Sequence, residues 1–282
     1  MNKTYCIGGF AFALSCPDGV TPPENFALFE SDAEPEYMYE MTVSGRCPEP
    51  RGRLITDRPD LTVFDDNGLE MRYIGLKLAM GTLACYMELD ESHAAIYLSP
   101  AIAGSMNIDT LWLSLFAMER RLLSHGGMVL HCAYMRHKDE AILFSAPSET
   151  GKTTQATLWE KHRGSRVING DRALLECIDG RWTARGWPVC GSSEVCHNED
   201  TKIRAIVMLS QGKTDAVERL TPFQAFSQVY SQITINRWSR GAQKKAMDMI
   251  EHLVMHVPVY HLSCTISEDA VRCLESALYP EA

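Results

Sequence analysis

Short apolar runs broken by turn residues fill the chain to about residue 105, and longer amphipathic stretches follow. Pro22-Pro23, Pro48-Glu49-Pro50, Arg58-Pro59-Asp60 and Asp65-Asp66-Asn67-Gly68 punctuate the first region, and apolar runs between such breaks signal strands. Tyr73 to Leu78, Leu83 to Leu89 and Ala94 to Leu98 read as strands, and Ile7 to Leu14 reads as one opening strand closed by the turn Pro17-Asp18-Gly19. Leu111, Leu115, Met118 and Leu122 recur at helical spacing, so a helix from Ile108 to Leu123 is expected, capped by Asp109 and joining the two halves.

Beyond that helix, strand, glycine-bearing turn and helix alternate, the order of an α/β nucleotide-binding domain. Val129 to Met135 and Ala141 to Ser145 are expected strands, Lys152 to His162 a helix, and Arg166 to Ile168 a short strand. Ala173 to Cys177 and Trp182 to Ala184 should pair antiparallel across an Asp179-Gly180 turn. Ile203 to Leu209 reads as a strand, Thr221-Pro222 starts a helix running to about Ile233, and Gln243 to Met255 supplies another. Pro258 to Leu262 and Ser267 to Leu278 close the chain as strand and helix. The fold class expected is α/β, preceded by a β-rich N-terminal region.

Composition sets limits. With 45% hydrophobic and 22% charged residues the chain matches the globular average, which disfavours disordered, collagen-like and coiled-coil architectures. Its 36 acidic and 27 basic residues give a net charge of −9, so nucleic acid is not an expected partner, and an anionic ligand needs a local site. No apolar run reaches the roughly 18 to 20 residues of a membrane span. Lys3, the run Ile7 to Leu14 and Ser15-Cys16 share the outline of a lipoprotein signal, but the run is short, contains Gly8-Gly9 and ends at Pro17, so the strand reading is preferred. Ten cysteines without a C-x-x-C pair fit a reducing, cytoplasmic setting. Cys190, Cys196 and His197 alone resemble a metal-ligand group; they lack a second pair, and loop thiols are the plainer reading.

The chemistry concentrates at Ala146-Pro147-Ser148-Glu149-Thr150-Gly151-Lys152-Thr153-Thr154, between an expected strand and an expected helix, which is the context of a Walker A loop. Backbone N–H groups of residues 148–154 would cradle phosphates at a helix N-terminus, and Gly151 lets the backbone approach them. Lys152 would reach the β- and γ-phosphates, and Thr153 would offer its hydroxyl to Mg²⁺. The plainer alternative is a solvated helix start, with Ser148 or Thr150 as the cap and Lys152 on the surface. Glu149 places a negative charge beside an anion site unless it points to solvent. Asp171, just after the strand Arg166 to Ile168, is the candidate second metal ligand, although Asn169-Gly170-Asp171 also has the composition of a turn. His131, one strand before the loop, is either structural or a proton acceptor.

These motifs, in the order Leu130-His131, Ala146 to Thr153 and Asp171, resemble the HPr kinase/phosphorylase superfamily, whose P-loop fold also occurs in ATP-dependent phosphoenolpyruvate carboxykinase. Gly186-Trp187-Pro188-Val189-Cys190-Gly191-Ser192, Asn198 with Ile203 to Ile206, and Val257 to Leu262 look like small HPr-kinase-related proteins found near peptide-modification genes. The resemblance covers roughly residues 125 to 278. It implies an HPr kinase-like P-loop domain over 126–282, a mixed sheet flanked by helices; the apolar pattern places before it a β-rich region 1–107, expected to make substrate or partner contact, and a linking helix 108–125. It further implies ATP and Mg²⁺ as cofactors and a serine or threonine hydroxyl of a small protein or peptide as acceptor. A homo-oligomer would fit relatives of this kind. The family usually carries two adjacent aspartates where this chain has Gly170-Asp171. Either Asp171 then serves both needs, His131 takes the proton, or the chain binds nucleotide as an inactive partner or switch. Arg185 and Arg204 are the weaker candidates for contacting phosphate or substrate.

Overall fold

In the computed structural model, which describes residues 2–75, 81–103 and 114–280, Gly8 takes φ +65° and turns the chain back on itself. The opening segment is therefore two antiparallel strands, β1 (Asn2–Ile7) and β2 (Phe10–Ser15), and not the single strand expected over Ile7 to Leu14. Gly8 and Gly9 sit inside an apolar run, and the left-handed backbone at Gly8 makes a tight hairpin there without steric cost. The chain divides into two compact units, Met1–His125 and Gly126–Ala282.

The first unit continues with β3 (Tyr37–Val43), β4 (Arg53–Arg58), β5 (Leu61–Asp66), β6 (Leu69–Ile74), β7 (Ala84–Glu88) and β8 (His93–Leu98). They form one sheet in the order β1-β2-β3-β8-β7-β6-β5-β4, with β3 parallel to both neighbours and the other pairs antiparallel. Asn67 and Gly68, both at positive φ, turn β5 into β6 as their composition demands. The strand expected from Tyr73 ends at Ile74; its remainder to Leu78 lies largely outside the described residues. Helix α1 spans Met118–Ser124 and follows Ala117 at φ +48°, so the expected run to Leu123 is broken there by a left-handed residue. Asp109 and Leu111 fall outside the described residues.

Charge is buried in this unit as a network. Arg72, 1% exposed, pairs with Glu70 and, at 2.6 Å, with Glu119 of α1. Arg121 pairs with Glu88 and donates to the Tyr86 hydroxyl at 2.8 Å. The buried Arg72 and the half-buried Arg121 thus each meet a buried carboxylate, the condition under which charge survives away from water.

The second unit holds β9 (Gly127–His137), β10 (Glu140–Ser145), helix α2 (Lys152–Arg163), β11 (Arg166–Asn169), β12 (Arg172–Ile178), β13 (Arg181–Arg185), β14 (Thr201–Gln211) and β15 (Ala216–Arg219). Helices α3 (Pro222–Gln232) and α4 (Arg240–His256), strand β16 (Val259–Cys264) and helix α5 (Glu268–Leu278) follow. The expected strands and helices are found here with small boundary differences, and β15, a mostly exposed strand of four residues, escaped the apolar pattern. Long strands β9 and β14 each serve two neighbourhoods. The first residues of β9 pair β12 and its later ones pair β10, while β14 pairs β13, β10 and β16, the last two in parallel. Trp159 of α2, Phe144 of β10, Val207 of β14 and Leu274 of α5 share one buried core, which seats α2 at the end of β10. Among the described residues no helix is long and apolar enough to cross a membrane.

Candidate active site

The buried apolar strand β10 ends at Ser145, and the chain turns through residues 146–151 into α2. Glu149 at φ +65° and Gly151 at φ +109° bend this turn, the second in a region that side chains other than glycine rarely adopt. Gly151 is the N-cap and no side chain caps the helix, so neither Ser148 nor Thr150 acts as the cap. Lys152 begins α2 and is only 7% exposed; its Nζ donates to the carbonyls of Ala146 at 3.1 Å and Pro147 at 3.3 Å. Burial lowers the pKa of this ammonium, with Asp171 opposing the shift. The charge is therefore parked on neutral carbonyls of its own loop.

Antiparallel pairing of β12 with β9 sets Arg172 opposite His131, and Cys132 N–H donates to the Asp171 carbonyl at 3.0 Å. This register brings His131 Nε2 to 3.4 Å from Asp171 Oδ1, while Arg172 Nε lies 3.5 Å from Oδ2. Burial raises the Asp171 pKa, but His131, Arg172 and Lys152 outweigh it and hold the carboxyl below its ordinary range. Thr153 Oγ1 donates to the Gly170 carbonyl at 3.3 Å, which ties the first turn of α2 to the residue before Asp171.

Asn169 fixes this corner. It is fully buried, and its Oδ1 accepts from the N–H groups of Asp171 at 2.9 Å and Arg172 at 3.0 Å. Its Nδ2 donates to the carbonyls of Trp187 at 2.9 Å and Val189 at 3.1 Å, so one amide holds both the Gly170-Asp171 turn and the loop that leads to Cys190. The turn composition of Asn169 was legible; its role in joining two loops was not, because that needs the fold.

The result is a pocket of about 380 Å³ where His131, Lys152, Thr153 and Asp171 meet. Ser148, Glu149, Gly151 and Thr154 also line it, whereas Thr150 lines a neighbouring pocket of about 460 Å³ with Gln211, Thr265 and Ile266. The second pocket shares Glu149, Gly151 and Thr154 with the first. Cys190, Ser192 and Ser193 form a wall that the sequence did not assign to the site. The one available signal was the small-residue turn Gly191-Ser192-Ser193.

Ser193 explains why residue 170 is glycine. A Cβ at Gly170 would lie 2.2 Å from Ser193 Cβ and 2.3 Å from its Oγ, so the space beside Asp171 is already filled. Arg185 and Arg204 are outside the pocket lining. Arg185 pairs with Glu176 at 2.6 Å and Asp200 at 3.0 Å, and Arg204 bonds the Leu278 carbonyl and lies 5.1 Å from the Tyr279 ring centroid. Cys196 donates its thiol to the Trp187 carbonyl at 3.2 Å, burial pushes its pKa up to about 12, and His197 meets Arg166. Among the described residues no three His, Cys, Asp or Glu side chains gather to hold a metal.

Fold and site together define a mixed α/β protein with a β-rich N-terminal unit and a polar pocket at a strand–turn–helix junction. The family described as SynChlorMet cassette protein ScmC matches residues 96–278, and the chain belongs to that family. No curated protein matches the chain. Among solved structures, the Hpr(Ser) kinase/phosphatase from Coxiella burnetii is similar at 10% identity over 54% of this chain and 93% of that chain, with a TM-score of 0.32, a likeness too slight to carry an argument.

Proposed function

We propose that the chain binds ATP with Mg²⁺ and transfers the γ-phosphoryl group to a serine or threonine hydroxyl of a small protein or peptide. The observation that supports this most is the convergence of an ammonium, a hydroxyl, a carboxylate and an imidazole on one pocket at the N-terminus of α2. The N–H groups around residues 148–154 would receive the phosphates. Lys152 would exchange its two carbonyl partners for phosphate oxygens, a stronger pairing for a charge. Thr153 and Asp171 fit a cation that arrives with the nucleotide, because two protein ligands are too few for a dedicated cage. Bound there, Mg²⁺ would neutralise charge developing on the transferred group.

Asp171, held ionised below the usual carboxylate range, suits cation binding better than proton acceptance. With His131 Nε2 directed at Asp171, the other ring nitrogen is the proton acceptor in this reading. The neighbouring pocket, which shares the turn, has room for the nucleoside.

Incubating the purified chain with γ-labelled ATP, Mg²⁺ and serine-containing peptides tests the proposal. Label on a peptide hydroxyl is expected, and His131→Gln should slow transfer by about 10² to 10⁴ at unchanged ATP affinity. ATP binding without transfer would favour a second reading, a nucleotide-binding partner, for which the single carboxylate beside Gly170 speaks. Absence of ATP binding would overturn both.

A further inference from the structure

Among the described residues no large apolar side chain is more exposed than Phe223, at 84%. It opens α3, and Phe226 and Tyr230 follow at helical spacing on the same side, while Ala225 and Val229 turn to the core. Phe226 and Tyr230 stack with centroids 6.0 Å apart and ring planes 15° apart, and the Arg237 guanidinium lies over Tyr230 at 5.1 Å. Aromatic rings and arginine on an open face are the side chains that most often anchor a partner.

The charge beside this stripe is one-sided. From Leu220 to Met247 the chain carries Arg237, Arg240, Lys244 and Lys245 and no carboxylate, although its net charge is −9. All four are exposed, and Lys244 pairs with Asp248, 3.0 Å away. Arg240 is the first residue of α4, whose first turn holds no acid, so cations stand at the helix end where the dipole already favours anions. That arrangement does not stabilise the helix.

The face is anchored to the candidate active site. Ile233, at the end of α3, bridges Leu130, and Thr234 N–H donates to the Val129 carbonyl at 2.9 Å, on the strand that carries His131. Thr234 Oγ1 accepts from Arg172 Nη1 at 3.3 Å, and Arg172 is the partner of Asp171. We propose that α3 and the start of α4 form a docking face for an acidic peptide segment with apolar side chains, the segment that flanks the acceptor hydroxyl. Its apolar groups would cover Phe223, Phe226 and Tyr230, and its carboxylates would meet Arg237 and Arg240. The assignment of an acceptor to the segment rests on the phosphoryl-transfer reading; the docking itself does not.

Two fluorescein-labelled peptides of equal length test this, each with one serine among leucines and either glutamates or lysines. In anisotropy titrations of the full chain, the glutamate peptide should bind about tenfold tighter than the lysine peptide or better, and high salt should narrow the gap. Arg237→Glu with Arg240→Glu, and separately Phe223→Ser, should each weaken glutamate-peptide binding by about tenfold at unchanged melting temperature and ATP affinity. Equal or undetectable binding of the two peptides, or face variants that bind like the parent, overturns the proposal. So does a dimer in sedimentation that Phe223→Ser dissociates, since a second copy would then own the face. If the chain fails to bind ATP yet binds the glutamate peptide through these residues, the transfer reading falls and the docking face stands.

Discussion

The core of the N-terminal unit and the pocket of the C-terminal unit treat buried charge in opposite ways. In the N-terminal unit Arg72 and Arg121 are each matched by carboxylates, with Glu119 at 2.6 Å from Arg72, so the network is closed on itself. In the C-terminal unit Lys152 rests on two neutral carbonyls at 3.1 and 3.3 Å, and Asp171 is shared between His131 and Arg172 at 3.4 and 3.5 Å. Removing a charge from water is costly, and a full counter-charge offsets that cost where a carbonyl dipole does so only in part. The closed network is scaffold. The other leaves Lys152 hydrogen-bonded to carbonyls alone, beside a carboxylate that two neighbours share at longer range.

The sharpest way to break this contrast is at Arg72. Arg72→Met leaves Glu70 and Glu119 without their closest buried partner, and a loss of about 3–5 kcal/mol is expected in denaturant unfolding. Replacing Arg72, Glu70 and Glu119 together by apolar side chains of similar volume should recover most of it. A loss below about 1 kcal/mol for the single change would show that the network is not closed in the sense argued. Lys152→Ala should do the reverse. It removes a charge that hydrogen-bonds to carbonyls alone and has only a longer-range attraction to Asp171, so stability should fall by no more than about 1 kcal/mol, while ATP affinity in calorimetry falls by about 1.5–3 kcal/mol, roughly tenfold to a hundredfold. Equal affinity in variant and parent would sink the nucleotide site.

What the sequence made legible divides along the same line. The junction from Ala141 to His162 could be read directly because its signals are local: an apolar strand, a glycine at the turn and a helix with lysine at its start. His131 and Asp171 were each noticed, but their pairing depends on the register that sets Arg172 opposite His131, which no local pattern encodes. Ser193 and Asn169 were hidden more deeply, because serine and asparagine belong to any turn and acquire a role only when two loops meet. In the N-terminal unit the hairpin at Gly8 was masked by apolar residues on both sides, and β4, with no fully buried residue, offered no alternation to detect.

Gly170 sharpens the comparison at the pocket itself, where the free space is smaller than the sequence suggests. Adding a carboxylate by Gly170→Asp would be the obvious way to supply a second acid, yet its Cβ would fall within 2.2 Å of Ser193 Cβ. Ser193 is held by its hydroxyl on the Cys190 carbonyl at 2.6 Å, so it does not yield freely. The single variant should therefore lose about 1–3 kcal/mol, the usual cost of overpacking, without faster phosphoryl transfer. Ser193→Gly in the same chain should restore stability and let the new carboxylate act. A double-mutant cycle of denaturant melts measures this coupling, and strict additivity of the two changes would refute the steric account.

The smallest expected effect concerns acid, and it tests whether Asp171 is held by its neighbours or merely near them. Burial alone would raise its pKa; the net direction is downward because His131, Arg172 and Lys152 together outweigh burial. For a carboxyl whose folded pKa lies below the unfolded value of about 3.9, the linked stability is fully present above that value and is lost as pH falls through the folded pKa. Arg172→Gln removes one of the three groups that hold the carboxyl down while leaving an amide for the Thr234 hydroxyl, so the Asp171 pKa should rise toward its ordinary range. Acid unfolding should then begin at higher pH in the variant, while stability at pH 7 changes by no more than about 1 kcal/mol for a partly exposed pair. Carboxyl titration followed by NMR reads the shift at the residue itself. An unchanged Asp171 titration would mean that Arg172 contributes nothing to the pocket's charge balance, and that the Thr234 contact alone accounts for its place there.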